Sequence, residues 1–220
     1  MFKNIFFDVG NTLLFPNRDR IFAPLHATGV KPGMEQLRDL ERRTKRDYDQ
    51  LVKDQHADHS FWWMFYTRLL DESGVKNDLV RDQLVDATRQ SANWDVLLPG
   101  TRAVLERLAT RHRIGIISNA DGKIDAVLAR CGIADCFLTI TDSGLVGHEK
   151  PHPAIFAAAF EQMKAAPEES LYVGDVYSVD YVGATQAGMQ AVLMDVSGAY
   201  RDDSWPRLES LEELEKWLGS

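Results

Sequence analysis

The chain has 220 residues, which suits one large domain or a core with a smaller insert. Its apolar fraction of 45% is ordinary for a globular protein and allows a sizeable hydrophobic core. The 25 basic and 33 acidic residues give a net charge of −8, and no basic run stands out. This charge balance argues against a general nucleic-acid partner but leaves room for an anionic small-molecule substrate, because a few local cations can dominate a small cleft.

The ends and the cysteines bear on localisation. Residues 1–3 run directly into the first predicted strand, so no signal peptide is expected, and no apolar run approaches the ~20 residues that span a bilayer. Cys131 and Cys136 lack Cys/His partners at zinc-site spacing and are interpreted as small buried hydrophobic residues. The sequence therefore predicts a cytoplasmic protein with no membrane partner, present as a monomer or a homodimer.

The first structural signal is the short apolar run at residues 5–7, which predicts a buried strand. Asp8 follows at the point where this strand ends. Gly10 and Asn11 are predicted to form a turn, because both tolerate backbone angles that other residues avoid. A carboxylate at the carboxyl end of a buried strand lies where α/β sheets bind ligands. An aspartate that only stabilises the turn is the alternative.

Residues 16–93 are predicted to form an all-helical insert. Helical periodicity extends from about residue 18 to residue 91, with amphipathic helices expected near 33–54, 59–72 and 79–85. The aromatic cluster at 61–66 is interpreted as the core of this insert, with a substrate-binding wall as the alternative. The following side chains are expected mainly on its solvated surface: Arg18, Arg20, His56 and His59.

Residues 93–220 alternate strands with helices. Strands are predicted at 113–117, 137–140, 171–173 and 190–194, the last being the final strand. Helices are predicted between them, including one that follows the strand end at Gly174-Asp175 and runs to Ala187. Repeated βα units predict an α/β fold with a mostly parallel sheet that helices cover on both faces.

Polar groups follow the predicted strands or lie in the loop between them: Asp8, Ser118 with Asn119, Lys150, and Asp175 with Asp180. Because the carboxyl ends of parallel strands meet at one edge, these groups are expected to share a site. A carboxylate nucleophile needs a divalent cation or a lysine to hold an anionic substrate against it. Alone, Ser118 is better explained as a helix cap and Lys150 as a solvated loop residue, but their combination favours one site.

In this site, oxygen ligands from Asp8, Asp175 and the Gly10 carbonyl would suit Mg²⁺. Lys150 would neutralise charge on Asp8 and on the transferring group, and Ser118 would hydrogen-bond the peripheral oxygens of that group.

The ordered motifs resemble the haloacid dehalogenase-like (HAD) hydrolase superfamily over nearly the whole chain. They are Asp8-Val9-Gly10-Asn11-Thr12, Ile116-Ile117-Ser118-Asn119, Lys150-Pro151, and Gly174-Asp175 with Asp180 and Gly183-Ala184. The resemblance implies a Rossmann-like core, residues 1–15 and 94–220, with 16–93 as a helical cap.

The resemblance also implies the site roles. Asp8 is the implied nucleophile and Asp175 an implied Mg²⁺ ligand, with Asp180 supporting the metal from the same loop. Ser118 and Lys150 are the implied phosphoryl-binding groups. Thr12 and Asn119, which stand in the same motifs, are assigned to phosphate binding with them.

One position departs from the family pattern. Most phosphatases of this superfamily carry a second aspartate two residues after the nucleophile, as an acid and base, and here that residue is Gly10. General acid–base help is commonly worth ~10²–10⁴-fold in rate.

Four interpretations stay open. In the first, the substrate is a phosphate with a good leaving group, such as an acyl phosphate, and in the second, another residue, such as His148, His152 or a cap residue, replaces the missing acid. In the third, the protein is a 2-haloacid dehalogenase. In the fourth, it is a weak or inactive enzyme that acts as a binding protein. Asp175 argues against the dehalogenase, which lacks this acid. The sequence therefore predicts a Mg²⁺-dependent phosphohydrolase that acts on a small phosphorylated metabolite through an aspartyl-phosphate on Asp8.

Overall fold

A computed structural model of the protein describes residues 2–54 and 60–219. Within these residues the strands are β1 (Asn4–Phe7), β2 (Leu14–Phe15), β3 (Val96–Leu97), β4 (Arg113–Ser118), β5 (Thr139–Asp142), β6 (Ser170–Gly174), β7 (Gln190–Met194) and β8 (Arg207–Leu208). The helices are α1 (Arg18–Ile21), α2 (Ala23–His26), α3 (Met34–Lys53), α4 (Phe61–Glu72), α5 (Asp78–Arg89), α6 (Thr101–Ala109), α7 (Ile124–Arg130), α8 (Ser143–Val146), α9 (Pro153–Met163), α10 (Val182–Gln186) and α11 (Leu211–Gly219).

The main sheet has six strands in the order β5-β4-β1-β6-β7-β8. Each neighbouring pair in it runs parallel, so the predicted α/β architecture is confirmed. The chain builds the sheet outward from β1, first through β4 and β5 and then through β6 to β8 on the other side. The carboxyl ends of β1, β4 and β6 therefore meet at the position where such sheets bind ligands.

Helices cover both faces of this sheet, as the βα alternation predicts. Successive side chains of a strand point to opposite faces, and β1 shows this alternation. Ile5 and Phe7 are fully buried in a cluster with side chains of α6 and α11, whereas Phe6 is buried in a second cluster with side chains of α9. The run at residues 5–7 is apolar throughout because both of its faces lie in hydrophobic clusters.

Helices α1–α5, which run from Arg18 to Arg89, form what we call the helical module. Their apolar faces build a separate hydrophobic cluster, which contains Leu25, Leu40, Leu69 and Leu84. The predicted helices at 33–54 and 59–72 are confirmed as α3 and α4 with small shifts of their ends. The boundaries of a cap at 16–93 stay a prediction.

Of the side chains predicted to lie on the solvated surface of the helical module, the two that the structure describes differ in exposure. Arg20 is exposed, whereas Arg18 is half-buried and its guanidinium donates to the sulfur of Met34. His56 and His59 lie outside the described residues.

Several elements differ from the sequence prediction. The unpredicted strands β2 and β3 pair antiparallel where the chain enters and leaves the helical module. Strand β8 pairs with β7, so the prediction that 190–194 is the final strand is wrong. Strand β5 begins at Thr139 rather than 137, because residues 134–136 form a 3₁₀ turn that ends at Phe137. Two-residue strands carry too little periodicity to be predicted from sequence.

Two further findings bear on the sequence predictions. Cys131 and Cys136 are free and only partly buried, each packed against the hydrophobic cluster that contains Ile5. In the described residues, no helix has the length and apolar character needed to cross a bilayer.

Candidate active site

A cavity of about 480 Å³ lies between the carboxyl edge of the sheet and the helical module. Its lining includes Asp8 after β1, Ser118 at the end of β4, Lys150, and Asp175 after β6. The structure therefore brings together the groups that the sequence places at separate strand ends. The volume falls within the range of small-molecule sites.

Asp8 and Lys150 form a buried ion pair at the base of this cavity. The Lys150 ammonium donates to Asp8 Oδ1 at 2.6 Å, to the Tyr172 hydroxyl at 2.7 Å and to Asp180 Oδ1 at 2.8 Å. Burial raises the pKa of Asp8 to about 7 against the opposing effect of Lys150, and the neighbouring carboxylates raise it further. Burial lowers the pKa of Lys150, but the carboxylates of Asp180 and Asp8 raise it above its usual value, so the lysine stays charged.

Asp180 organises the loop that follows β6. Its Oδ2 accepts the backbone N–H groups of Asp175 at 3.1 Å and Val176 at 2.9 Å, while its Oδ1 accepts from Lys150. Gly174 makes this possible, because a Cβ at that position would lie 2.5 Å from the Asp180 carboxyl carbon. Since both oxygens already accept protein donors, Asp180 holds the loop and Lys150 in place.

The helix predicted after Gly174-Asp175 does not begin as a regular α-helix. Residues Tyr177–Tyr181 form a π-helical turn, and the regular helix α10 begins only at Val182. The turn folds Asp180 back onto the N–H groups of Asp175 and Val176, which prevents a regular first turn there. Single-turn π-helical segments are frequent at functional sites.

Lys45 is a site neighbour that the sequence analysis missed. Its side chain is 1% exposed, and its ammonium lies 2.7 Å from Asp175 Oδ2 and 3.0 Å from Glu41 Oε1. Burial raises the pKa of Asp175 to about 6, although the charge of Lys45 lowers it. The signal was available, since Lys45 follows Leu37 and Leu40 on the buried face of α3.

A second contact ties α3 to the same loop. Asp49 accepts the backbone N–H of Ser178 at 3.0 Å and the Tyr200 hydroxyl at 2.8 Å. Lys45 and Asp49 stand four residues apart, so both project from one face of the helix. The helical module therefore contacts the Asp175–Asp180 loop through two partly or fully buried polar side chains.

The remaining predicted phosphate-binding residues fall into different positions. Ser118 is buried and lines the cavity. Asn119 also lines it, but its amide accepts from Lys150 N at 2.7 Å and donates to Lys150 O at 3.1 Å, so its observed partner is the lysine backbone. Thr12 is buried away from the lining, and its hydroxyl has no hydrogen-bond partner within the described part of the chain. Neither Ser118 nor Asn119 caps α7, which begins at Ile124.

Gly10 lines the cavity beside Asp8, but its backbone does not use the conformational freedom on which the prediction of the turn relied. Asn11 adopts the left-handed conformation, with φ of 53°, whereas Gly10 is not among the residues with positive φ. A Cβ on Gly10 would lie 3.4 Å from ring carbon Cζ3 of Trp94. The side-chain space at position 10 therefore faces an indole ring rather than open solvent.

The proposed histidine substitutes for the missing acid lie elsewhere. The rings of His148 and His152 stack on each other at 4.2 Å, and His152 accepts the Ala154 N–H at the start of α9. Neither histidine is among the described residues that line the cavity.

The acidic cluster suits a hard divalent cation. One carboxylate oxygen each from Asp8, Asp175 and Asp180 lie within 4.8 Å of one another, and all three residues are buried. Among the described residues, Asp8 Oδ2 and Asp175 Oδ1 accept no hydrogen bond, which leaves one oxygen free on each. The cavity lining carries Asp8, Asp121, Glu149, Asp175 and Asp180 against Arg89 and Lys150. An all-oxygen, strongly acidic donor set is the type that binds Mg²⁺.

Comparisons with known proteins agree with this architecture. The chain is 39% identical over 108 residues to a glyceraldehyde 3-phosphate phosphatase of Methanothermobacter thermautotrophicus, covering 47% of this chain and 48% of that protein. It is 26% identical over 226 residues to the pyrimidine 5'-nucleotidase YjjG of Escherichia coli, covering 97% of this chain and 96% of that protein.

A crystal structure of the HAD-hydrolase YfnB from Bacillus subtilis bound to magnesium superposes with a TM-score of 0.73 at 18% identity, covering 100% of this chain and 99% of that chain. That likeness shows the fold. The family model for the haloacid dehalogenase-like hydrolases matches residues 2–188. With the parallel sheet and the motifs at its carboxyl edge, this match confirms the resemblance seen in the sequence: the chain belongs to the haloacid dehalogenase-like hydrolase family.

Proposed function

We propose that this hydrolase is a Mg²⁺-dependent phosphohydrolase that acts on a small phosphorylated metabolite through an aspartyl-phosphate on Asp8. The observation that carries the proposal is the buried Asp8–Lys150 pair beside Asp175, inside a cavity of small-molecule size. The two phosphatase relatives act on phosphate monoesters by their names and support the same reaction class.

Each residue of the site has its own role in the proposed reaction. Lys150 holds the Asp8 carboxylate, one oxygen of which attacks phosphorus, so that the bond between this oxygen and phosphorus forms as the bond between phosphorus and the leaving oxygen breaks. Ser118 hydrogen-bonds the peripheral oxygens, and the charge of Lys150, whose three N–H groups contact Asp8, Tyr172 and Asp180, offsets their negative charge. Water then cleaves the aspartyl-phosphate, which releases phosphate and restores the Asp8 carboxylate.

Asp8, Asp175 and the Gly10 carbonyl would hold Mg²⁺. Asp180 would support this site by positioning the loop that follows β6. The cation would supply positive charge that offsets the acidic lining and the substrate phosphate. Asn119 positions Lys150 through its backbone contacts. Thr12, on the turn after β1, stays a predicted phosphate contact.

We further propose that residues 16–93 act as a cap over a core of residues 1–15 and 94–220, in a cytoplasmic protein. The paired strands β2 and β3 and the hydrogen bond from Asn17 N to Asn93 O at 2.8 Å close the base of this segment. The cap is expected to shift about Pro16 and Asn93 when phosphate binds. Crystal structures with and without phosphate test this, and identical cap positions would contradict it.

A 2-haloacid dehalogenase is the second candidate, because halide leaves without a proton and Gly10 supplies no acid. The retained acidic cluster argues against it, since Asp175 adds a second buried carboxylate that halide displacement does not need. Release of halide from a 2-halo acid, without metal and without phosphatase activity, would support this candidate.

The deciding experiment measures phosphate released from acetyl phosphate and from glucose 6-phosphate, with Mg²⁺ and with EDTA. Turnover that requires Mg²⁺ is the expected result. Turnover that EDTA leaves unchanged would remove the metal from the proposal, and failure with both substrates would move the assignment to halide release and then to a non-catalytic binding role.

Mg²⁺ is expected to raise the Tm more at pH 8 than at pH 5.5. The pKa values of Asp8 and Asp175 are raised to about 7 and about 6, so at pH 5.5 both carboxyls of the metal-free protein are mainly protonated. Binding must then displace protons, which weakens it, whereas at pH 8 both carboxylates are ionised and repel each other until a cation binds. Each pH is compared with and without millimolar Mg²⁺ by differential scanning fluorimetry. Equal shifts at both pH values, or none, would contradict a site built on these carboxylates.

Gly10→Asp is expected to speed the hydrolysis of alkyl phosphates more than that of acyl phosphates, because it restores an acid two residues after the nucleophile. Gly10→Ala is the matched control. It adds the same Cβ, 3.4 Å from Trp94 and without positive φ, and should leave folding and turnover close to wild type. The ratio of kcat/KM for glucose 6-phosphate to that for acetyl phosphate is the measurement. Equal losses in both variants would mean that the site tolerates no Cβ there.

A further inference from the structure

We propose that the substrate is an aryl phosphate: a phosphate monoester whose leaving oxygen is acidic and is carried by a planar aromatic ring. This inference deepens the proposed function and rests on it. Two features of the same cavity carry it, namely the absence of a side-chain acid at position 10, two residues after the nucleophile, and an aromatic wall in the cavity lining.

The first feature is the environment of the leaving oxygen. Position 10 has no side chain, and the Trp94 ring stands against it, so no proton donor reaches the nucleophile from that turn. Outside the acidic cluster, the described carboxyl and phenol side chains of the lining do not replace it. Asp121 accepts the Ser91 hydroxyl, Glu149 lies at the exposed rim, and burial raises the pKa of Tyr48, which makes it a weaker acid.

The second feature is the division of the aromatic cluster at the start of α4. Phe65 and Tyr66 are buried in the hydrophobic cluster of the helical module, as the sequence analysis expected. Phe61 and Trp62 pack against the same cluster but are only partly buried and also line the cavity, so they fit the alternative of a substrate-binding wall as well. Phe61 and Phe65, like Trp62 and Tyr66, are four residues apart on one side of α4, so the position along the helix decides which role each ring takes.

These rings form a continuous wall, which we define as Tyr48, Phe61, Trp62 and Trp94. The centroid of Trp62 lies 5.6 Å from that of Trp94 and 4.9 Å from that of Phe61, and Tyr48 lies 5.9 Å from Phe61. All four residues line the cavity that contains Asp8. Aromatic walls favour planar apolar groups through offset and edge-to-face contacts, so this wall suits an aromatic leaving group.

The chemistry links the two features. When the Asp8–phosphorus bond forms, the phosphorus–oxygen bond breaks and its electron pair stays on the leaving oxygen, which departs unprotonated. A phenol has a pKa of about 10, whereas an alkanol lies close to water at about 15.7. An aryl oxide therefore leaves without the proton that an alkoxide needs. The water that cleaves the aspartyl-phosphate gives one proton to the aryl oxide and the hydroxyl to phosphorus, so the net products are the phenol and phosphate.

The test compares phenyl phosphate with cyclohexyl phosphate, which has a ring of similar size, and with acetyl phosphate, which has an acidic leaving group but no ring. The reported value is kcat/KM in Mg²⁺, because hydrolysis of the aspartyl-phosphate is common to all substrates and can limit kcat. Phenyl phosphate is expected to exceed cyclohexyl phosphate by about 10²-fold or more, the scale of a missing general acid.

The wall is tested with Trp62→Leu, using Trp63→Leu as the matched control. Trp63 is the next residue of α4 and does not line the cavity. Trp62→Leu is expected to lower kcat/KM for phenyl phosphate about tenfold, the scale of one aromatic contact, and to leave acetyl phosphate within about twofold. Trp63→Leu is expected to change neither.

The outcomes separate the inference from the proposed function. If no substrate is turned over in a Mg²⁺-dependent manner, the phosphohydrolase itself is wrong. If turnover depends on Mg²⁺ but phenyl and cyclohexyl phosphates react equally, only the inference is overturned. If Trp62→Leu lowers acetyl and phenyl phosphates alike, the wall does not bind the leaving group, and the wild-type phenyl-to-cyclohexyl ratio still decides the leaving-group preference.

Discussion

Asp8→Asn is expected to abolish phosphate release, by roughly 10⁴-fold or more, the scale expected when a covalent nucleophile is removed. The amide nitrogen and oxygen match the carboxylate in size but cannot form an aspartyl-phosphate. The fold should survive, because burial disfavours the charged form of Asp8 and raises its pKa to about 7, so a neutral amide relieves a cost at pH 8. The Tm of the metal-free variant at pH 8 should therefore not fall below that of wild type.

The control for this variant is Asp125→Asn, which changes an exposed acid in the first turn of α7 by the same chemistry. It should retain full turnover of acetyl phosphate. Binding of inorganic phosphate by Asp8→Asn, measured by calorimetry, should persist through Ser118 and Lys150. Turnover retained by Asp8→Asn, with a Tm equal to wild type, would show that Asp8 is not the nucleophile.

Lys45→Met is expected to destabilise the metal-free protein and to enlarge the stabilisation that Mg²⁺ provides. The ammonium of Lys45 is buried between Asp175 and Glu41, and its removal leaves both carboxylates without that partner. Breaking a buried ion pair on one side commonly costs ~3–5 kcal/mol. Because Asp175 Oδ2 is then free, a cation can take up both oxygens, and part of the lost stability should return in Mg²⁺.

Arg46→Met is the matched control, since Arg46 is the next residue of α3 and pairs with Asp203 from a side chain that is 44% exposed. Such surface pairs are worth ~0–1 kcal/mol. Urea denaturation with and without Mg²⁺ gives the free energies of unfolding. Equal effects of the two substitutions, or a Mg²⁺ response of Lys45→Met no larger than that of wild type, would contradict a coupling between Lys45 and the metal site.

This coupling has a consequence for the helical module. Lys45 and Asp49 on α3 contact the Asp175–Asp180 loop, so any displacement of α3 would break the Lys45–Asp175 pair. Metal binding at Asp175 and the position of α3 are therefore expected to depend on each other. Lys45→Met provides the variant in which this dependence is removed.

Much of the fold and the identity of the chemical groups follow from the sequence. The apolar run at residues 5–7 defines a strand that is buried on both faces, and the regular βα alternation after residue 93 requires a parallel sheet. The order of Asp8, Ser118, Lys150 and Asp175 along the chain then places them at one edge of that sheet, as the cavity shows. These inferences succeed because each depends on local periodicity and on the rule that parallel strands end at the same edge.

Other features depend on contacts between distant residues, and only the tertiary structure decided them. Lys45 contacts Asp175 although 130 residues of sequence separate them, and the Trp94 ring lies against position 10, where Gly10 does not adopt a positive φ. Phe61 and Trp62 line the cavity while Phe65 and Tyr66, one turn later, are buried, although all four belong to one aromatic run. Periodicity assigns residues to a face of a helix, but the packing of that helix against the sheet decides what the face meets.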